Sequence, residues 1–380
     1  MLRNMLRNNM KLLIVTQVVD SNDPLLGFFH MWLKAFASEF EHITVICLKE
    51  GQHDLPDTVR IYSLGKERVI ARSASAQGGA ARRSNPVSLA RTFLSYLVTR
   101  LTYLVRFYRL IWTHRATYDA VYVHMNQEYV LFGGLVWRLL GKKVAMWRNH
   151  FAGSWRTDLA ARFCDKVFCT STSSYTAHYK NTVFMPVGVS STEFVPVVGV
   201  NRVPASILSL GRISPAKKLG ILIEACALLN KRGVLFSCTI CGDAQPEHRS
   251  YLESLKELVI EKDLSEQVTF VPGVPNYETP AQYSKHTFYV NTSPSGMFDK
   301  TMFEAIGCGA ILVASSKDVW GKVPEAGVFE EGNAADLARR LGELLEKSDA
   351  ELDQLRMAQR RFAECHTLAR LAERVREELM

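Results

Sequence analysis

Acidic residues are absent from one long stretch of this 380-residue chain: none falls between Glu67 and Asp119, where nine arginines do. Equally absent is any uncharged apolar run approaching the roughly 18 residues that cross a bilayer, so no spanning helix is expected. No G-x-G-x-x-G follows a strand-like run, which argues against a dinucleotide-dependent dehydrogenase. No D-x-D stands at a strand end, so that acidic signature for a divalent metal is lacking. The eight cysteines show no framework spacing and sit mostly in apolar runs such as Val45-Ile46-Cys47-Leu48, as small hydrophobes of a reducing compartment do. Cys238 and Cys241 form one CxxC, but in "FSCTICGD" they read as a strand, whose positions three apart point to opposite faces. They are expected to pack, not to bind metal.

What is present is a soluble composition, 47% hydrophobic and 22% charged, on a chain too long for one core. Lysine and arginine exceed aspartate and glutamate by 46 − 38 = 8, which favours anionic partners without choosing among phosphorylated metabolites, nucleic acid and acidic membranes. The opening "MLRNMLRNNMKLLIVTQVVDSND" has a superficial leader look. Its apolar run is short and has no small-residue cleavage site, so a first strand from Lys11 to Val19 is the expectation.

Strand-like and helix-like runs alternate along the chain. "HITVICL", "AVYVHM", "KKVAMW" and "DKVFCTS" follow the first strand. After a joint near residues 187 to 203 the pattern restarts with "SILSLG", "SCTICG", "QVTFVPG", "TFYVNTS" and "AILVAS", helices between them. This predicts two doubly wound α/β domains with parallel sheets, whose ligands bind beyond the strands' carboxyl ends.

One segment breaks the alternation. "VSLARTFLSYLVTRLTYLVRFYRLIWTHR" predicts a basic amphipathic helix, with Arg91, Ser95, Thr99, Thr102, Arg106, Arg109 and Thr113 on one stripe. Its apolar side packs on the sheet, or residues 82–115 settle on an anionic membrane surface, and both can hold. Arginines alternating with aliphatics on a helix do not suit nucleic acid.

Chemistry gathers at the strand ends. In "SILSLGRISPAKK", Gly211 lets the backbone turn close to a ligand, and Arg212 and Lys217 suit a diphosphate. Gly242-Asp243 ends another buried strand. In "SPSGMFDKTMFEAIGCG", Asp299 falls where an N-cap is expected, and the free N–H groups behind it make an anion site. Glu304 lies deeper, among apolar residues, and needs partners such as the hydroxyls of a ribose.

These residues, in this order, resemble the retaining glycosyltransferases of family four, with the GT-B fold of two Rossmann-like domains facing a cleft. "GRISPAKK", "ICGD", "VTFVPGVPNYETPAQY" and "FEAIGCGAILVAS" carry the resemblance, and "HTLARLAERVREEL" is similar to the terminal helix that crosses back. The implied domains are 1–198 on the acceptor side, 199–362 for the donor, and 363–380 as that helix. The resemblance implies that Arg212 and Lys217 hold the donor diphosphate and that Glu304 accepts the ribose hydroxyls. It places Val274 and Pro275 along the nucleobase, Gly27 near the phosphates and His150 facing the sugar. It further implies a UDP- or GDP-sugar donor, no metal or other cofactor, and retention of configuration.

The chain departs from the family at Gly296, where a glutamate contacting sugar hydroxyls is usual. Either Asp299 takes that role with Lys300 beside the phosphates, or backbone N–H groups of residues 298–301, Phe298 and Thr301 included, hold the donor. His124, Asn126 and Glu128 follow a first-domain strand and suit acceptor binding, the alternative for His124 being a satisfied structural histidine; Trp147 and Arg148 border the same side. The expectation is a cytoplasmic enzyme, peripheral on the membrane's cytoplasmic face, that transfers a sugar to a hydroxyl of a lipid-linked glycan. The rivals are a GT-B epimerase or a transferase with a soluble acceptor, and a non-catalytic nucleotide-sugar-binding protein.

Overall fold

The computed structural model describes residues 10–23, 26–66, 86–296 and 298–380, and the helix beginning at Pro86 is described as backbone only up to residue 96. The first half of the expected basic segment, and residues 1–9, therefore lie outside the described side chains.

A seven-stranded sheet comprises β1 (Lys11–Val19), β2 (His42–Glu50), β3 (Val59–Ser63), β4 (Ala120–His124), β5 (Lys143–Trp147), β6 (Lys166–Cys169) and β7 (Thr182–Phe184). Their order is β3-β2-β1-β4-β5-β6-β7. All pairs are parallel: Ile14 sits between Val45 and Tyr122. From Leu12 to Val15 β1 is an apolar run, because both its faces are covered there. Leu12 and Ile14 face α1 (Phe28–Ala37) through Trp32, Leu33 and Phe36. Leu13 and Val15 face α2 (Pro86–Thr113), α3 (Gln127–Leu139) and α4 (Trp155–Arg162) through Phe107, Ile111, Val130, Trp137 and Ala160.

The second sheet has β8 (Val203–Leu210), β9 (Ser237–Cys241), β10 (Val268–Val271), β11 (His286–Asn291) and β12 (Ile311–Ala314), ordered β10-β9-β8-β11-β12 and again parallel. Around it lie α5 (Leu219–Lys231), α6 (Arg249–Glu261), α7 (Thr279–Lys285), α8 (Lys300–Gly307), α9 (Ala334–Leu345) and α10 (Asp349–Ala363). The last helix, α11 (Leu368–Leu379), buries Leu371, Val375 and Leu379 in the first domain's core, and Arg376 Nε donates to Glu39 there at 3.0 Å.

The anticipated strands all form; β3 and β7 were not anticipated. Both are edge strands with half-exposed residues, so neither carries the continuous apolar signal of a central parallel strand. Cys238 and Cys241 lie on β9, and all eight cysteines are free thiols. Strand order reverses at β1/β4 and at β8/β11. The crevices at those two switch points collect the loops after β1, β4, β8 and β11.

Candidate active site between the domains

The loop after β8 begins at Gly211 with φ +142°, and its N–H donates to Cys241 O at 3.0 Å. Gly242 faces it with φ +159°, and a Cβ there would lie 1.9 Å from Gly211 O. Two glycines thus let neighbouring strand ends close backbone against backbone. A one-turn helix, Pro215–Lys217, follows, and Lys218 takes the left-handed conformation at φ +49° before α5 begins. Gly211, Arg212, Lys217, Tyr289, Thr292 and Ser293 line one pocket, with Arg212 exposed at its rim.

Lys217 is held from the opposite strand end. Its Nζ lies 2.6 Å from Asp299 Oδ2, which also accepts from Ser293 Oγ at 2.7 Å and Asn291 Nδ2 at 3.0 Å. Burial raises the Asp299 pKa, but Lys217 and those two donors outweigh it and hold the carboxyl below its ordinary range. Asp299 does occupy the N-cap position of α8, yet its side chain makes no cap hydrogen bond. The clamp on Lys217 takes that carboxylate away from the helix N-terminus.

Glu304, one turn further into α8, is buried and accepts from Tyr283 OH at 3.0 Å. Burial raises its pKa, opposed by Lys300 and the Tyr283 hydrogen bond. Lys300 reaches across to the first domain: its ammonium lies 3.9 Å from the ring centroid of Phe28 and 4.5 Å from that of Trp32. Burial lowers its pKa to about 7, against the pull of Glu304. Thr301 Oγ1 is buried without a protein partner. Phe298 packs its ring among Phe303, Phe362 and His366, so only its backbone is available to a ligand. Val274 is half-buried and Pro275 exposed on the loop after β10.

On the first-domain side, Gly27 precedes α1, where a Cβ would meet Asp23 O at 2.6 Å and Ser21 O at 2.8 Å. His124 is buried, stacked 4.0 Å from Phe29, with Nδ1 3.3 Å from Thr16 Oγ1. Burial, with the Lys300 charge adding, lowers its pKa to about 3, which keeps the ring neutral. Asn126 occupies the N-cap of α3 without a side-chain cap bond. His150 is half-exposed, stacks on Phe151 at 4.5 Å, and accepts the Ala152 N–H at 2.9 Å.

Gly296 lies where the domains meet. Its φ is +91°, and a Cβ would come within 2.6 Å of Ser173 O and 2.8 Å of Phe151 Cβ. Its N–H donates to Asp318 Oδ2 at 3.0 Å and its carbonyl accepts from Ser174 Oγ at 3.2 Å. Asp318 in turn accepts from Ser171 Oγ at 2.5 Å. In this arrangement no side chain fits at position 296. Sequence reasoning missed Tyr283, Asn291, Ser293, Phe28, Trp32 and Asp318. Only the polar strand end "VNTS" offered a signal; the others become partners through packing alone.

The fold and the crevice together define the GT-B architecture, two doubly wound domains closing on a cleft, and this is also the fold of known sugar-transferring enzymes. Residues 191–362 match the family model of Glycosyl transferases group 1. Over 153 residues the chain is 29% identical to a D-inositol 3-phosphate glycosyltransferase of Pseudarthrobacter chlorophenolicus, 38% of this chain and 36% of that one. The chain spans less than half the length of the curated relatives it matches. Among solved structures, Anabaena HepE in complex with UDP superposes with TM-score 0.71 at 16% identity, over 97% of this chain and 99% of that one. The apo form of the lipopolysaccharide outer core galactosyltransferase WaaB superposes with TM-score 0.63 at 13% identity, over 97% and 99%.

Proposed function

We propose that this chain is a retaining glycosyltransferase that moves a sugar from a UDP- or GDP-sugar to a hydroxyl of a glycan carried on a membrane lipid. The observation that carries the reading is the Lys217–Asp299 clamp beside Gly211, with Arg212 at its rim and Glu304 deeper on Tyr283. Transfer breaks the bond from the anomeric carbon to the diphosphate and forms one to the acceptor oxygen. The negative charge that grows on the diphosphate is met by Arg212 and by Lys217, which Asp299 holds in place before the reaction. In this reading those two cations serve without a metal ion, and Glu304 accepts the ribose hydroxyls. Val274 and Pro275 border the base, and His150 faces the sugar from the first domain. The UDP complex of the HepE structure supports UDP-sugars as the first donors to try. The WaaB likeness, together with the basic segment 82–115, supports a lipid-linked acceptor at the cytoplasmic face of a membrane, in polysaccharide assembly.

The test is a panel of UDP- and GDP-sugars assayed for transfer and for slow hydrolysis. Activity with one donor that disappears in Arg212→Ala and Lys217→Ala supports the reading. Nucleotide binding with no turnover across the panel favours instead a binding protein, to which Gly296 in place of a sugar-contacting carboxylate points.

A further inference from the structure

Helix α2 is apolar on two faces. Phe107 and Ile111 enter the sheet core, whereas Leu97, Leu101 and Val105, one turn apart, and Trp112, two turns further on, are all more than half exposed, with Tyr108 beside them. The stripe anticipated to pack on the sheet is therefore only half of the helix's apolar surface. Its outward half continues on the neighbouring helices. Tyr108 OH donates to Phe132 O at 3.0 Å, which ties α2 to α3, where Phe132, Leu135 and Leu139 are exposed, Leu139 at 79%. Trp112, Val136 and Leu139 line a groove of about 510 Å³ between those helices. Arg138 Nη1 donates to Arg162 O and ties α3 to α4, which exposes Trp155 and Leu159. All three helices bury their inner sides in one core against the sheet, so their outer sides form one surface. A monomer seldom leaves so wide an apolar face uncovered.

Charge identifies what covers it. Helix α2 contains no acidic residue, and Arg100, Arg109, Arg115, Arg138 and Arg156 stand exposed on the same three-helix layer. The carboxylates on that side are few: Asp158 accepts from Tyr175 and Tyr179, Asp165 accepts from Val144 N, and Glu128 lies half-buried in the first turn of α3. Two tryptophans at the margins carry guanidinium partners, Trp112 with Arg115 at 4.7 Å and Trp155 with Arg156 at 5.5 Å. Exposed aliphatics edged by tryptophan and arginine match the boundary between acyl chains and anionic headgroups.

We infer that the outer face of α2, α3 and α4 docks on an anionic lipid bilayer, with Leu101, Val105, Leu135 and Leu139 entering the headgroup boundary. The inference deepens the membrane part of the proposed function by naming the surface. It does not depend on catalysis, because docking is read without donor or acceptor.

The test is flotation of the full chain with phosphatidylcholine vesicles and with vesicles also containing phosphatidylglycerol, at low and high salt. Flotation is expected only with the anionic vesicles, weakened by salt, and lost in Val105→Glu/Leu139→Glu. Each of Arg100→Gln and Arg109→Gln should lower the partition constant about fivefold, a measurement that stands even where the glutamate variant melts early by circular dichroism. The inference is overturned by wild-type protein that stays in solution with both vesicles, or by arginine and glutamate variants that float as the wild type does. Light scattering that shows a dimer dissociated by Leu139→Glu would overturn it too, since a second copy would then be the cover.

Discussion

Lys217 and Asp299 come from different strand ends, 82 positions apart, and meet at 2.6 Å. A lysine fixed in this way loses little freedom when a diphosphate arrives, and its charge need not reorganise during reaction. Lys217→Met should therefore lower kcat/KM about a hundredfold or more, and Asp299→Asn, which keeps the size but drops the charge, should fall between it and wild type. Donor titrations alongside initial rates separate the two effects; an Asp299→Asn variant with unchanged rates would show that the clamp does not matter. Gly296 is the complementary case. Gly296→Glu puts a carboxylate where the transferases this chain resembles usually have one, but its Cβ meets Ser173 O at a positive φ. The expectation is a loss of about 1 to 3 kcal/mol in stability, measured by urea unfolding, and no gain in transfer. Lys300 gives a pH prediction. Burial lowers it from 10.5 to about 7, so between those values the unfolded chain binds a proton that the folded chain does not. Its contribution to stability therefore grows as pH rises through that window. Lys300→Met should flatten that rise in the urea midpoint between about pH 7 and 10, and a parallel profile would assign the slope to other groups.

At the scale of elements, most of the fold was legible because central parallel strands advertise themselves. β1, β4 and β11 have apolar centres buried on both faces, Leu12 to Val15, Ala120 to Val123 and Phe288 to Val290, and polar residues close by at their ends. β3 and β7 were not legible, because half-exposed edges need only a few apolar residues. The candidate site was legible in part, at Gly211, Gly242 and Glu304, whose residue types are unusual for their positions. Its supports were not: Tyr283 and Asn291 are ordinary on a helix and a strand until the sheet brings them to Glu304 and Asp299. Helix α11 shows how an element can be locally plain yet structurally decisive. Leu371 is fully buried against the first domain although it follows the whole second domain in sequence. Leu371→Ala should cost about 2 to 5 kcal/mol, and chemical denaturation with a probe in each domain would show whether the first domain bears the loss.

For the whole molecule, the meeting of the domains sets what the cleft can do. Lys300 rests on Phe28 and Trp32, and Asp318 joins Gly296 to Ser171, so second-domain loops touch the first domain at two points flanking the crevice. A nucleotide bound between them, as proposed, would stabilise the folded chain by mass action, about 2.7 kcal/mol at a hundredfold excess over Kd. UDP should thus raise the melting temperature with a logarithmic dependence on concentration, and Arg212→Ala should shift that curve to higher UDP. A melting temperature indifferent to UDP and GDP alike would count against a nucleotide site here. Among the described residues no helix is long and apolar enough to cross a membrane.

The sequence by itself determined the alternation of elements, the two parallel sheets and the residue types at the strand ends, because these depend on local periodicity and on backbone freedom at glycine. Only the tertiary structure decided that Asp299 faces Lys217 instead of capping its helix, that Gly296 is pressed against the first domain, and that α2 turns a second apolar stripe outward. Each of these depends on which distant surface arrives at a residue, and spacing along the chain carries no record of that.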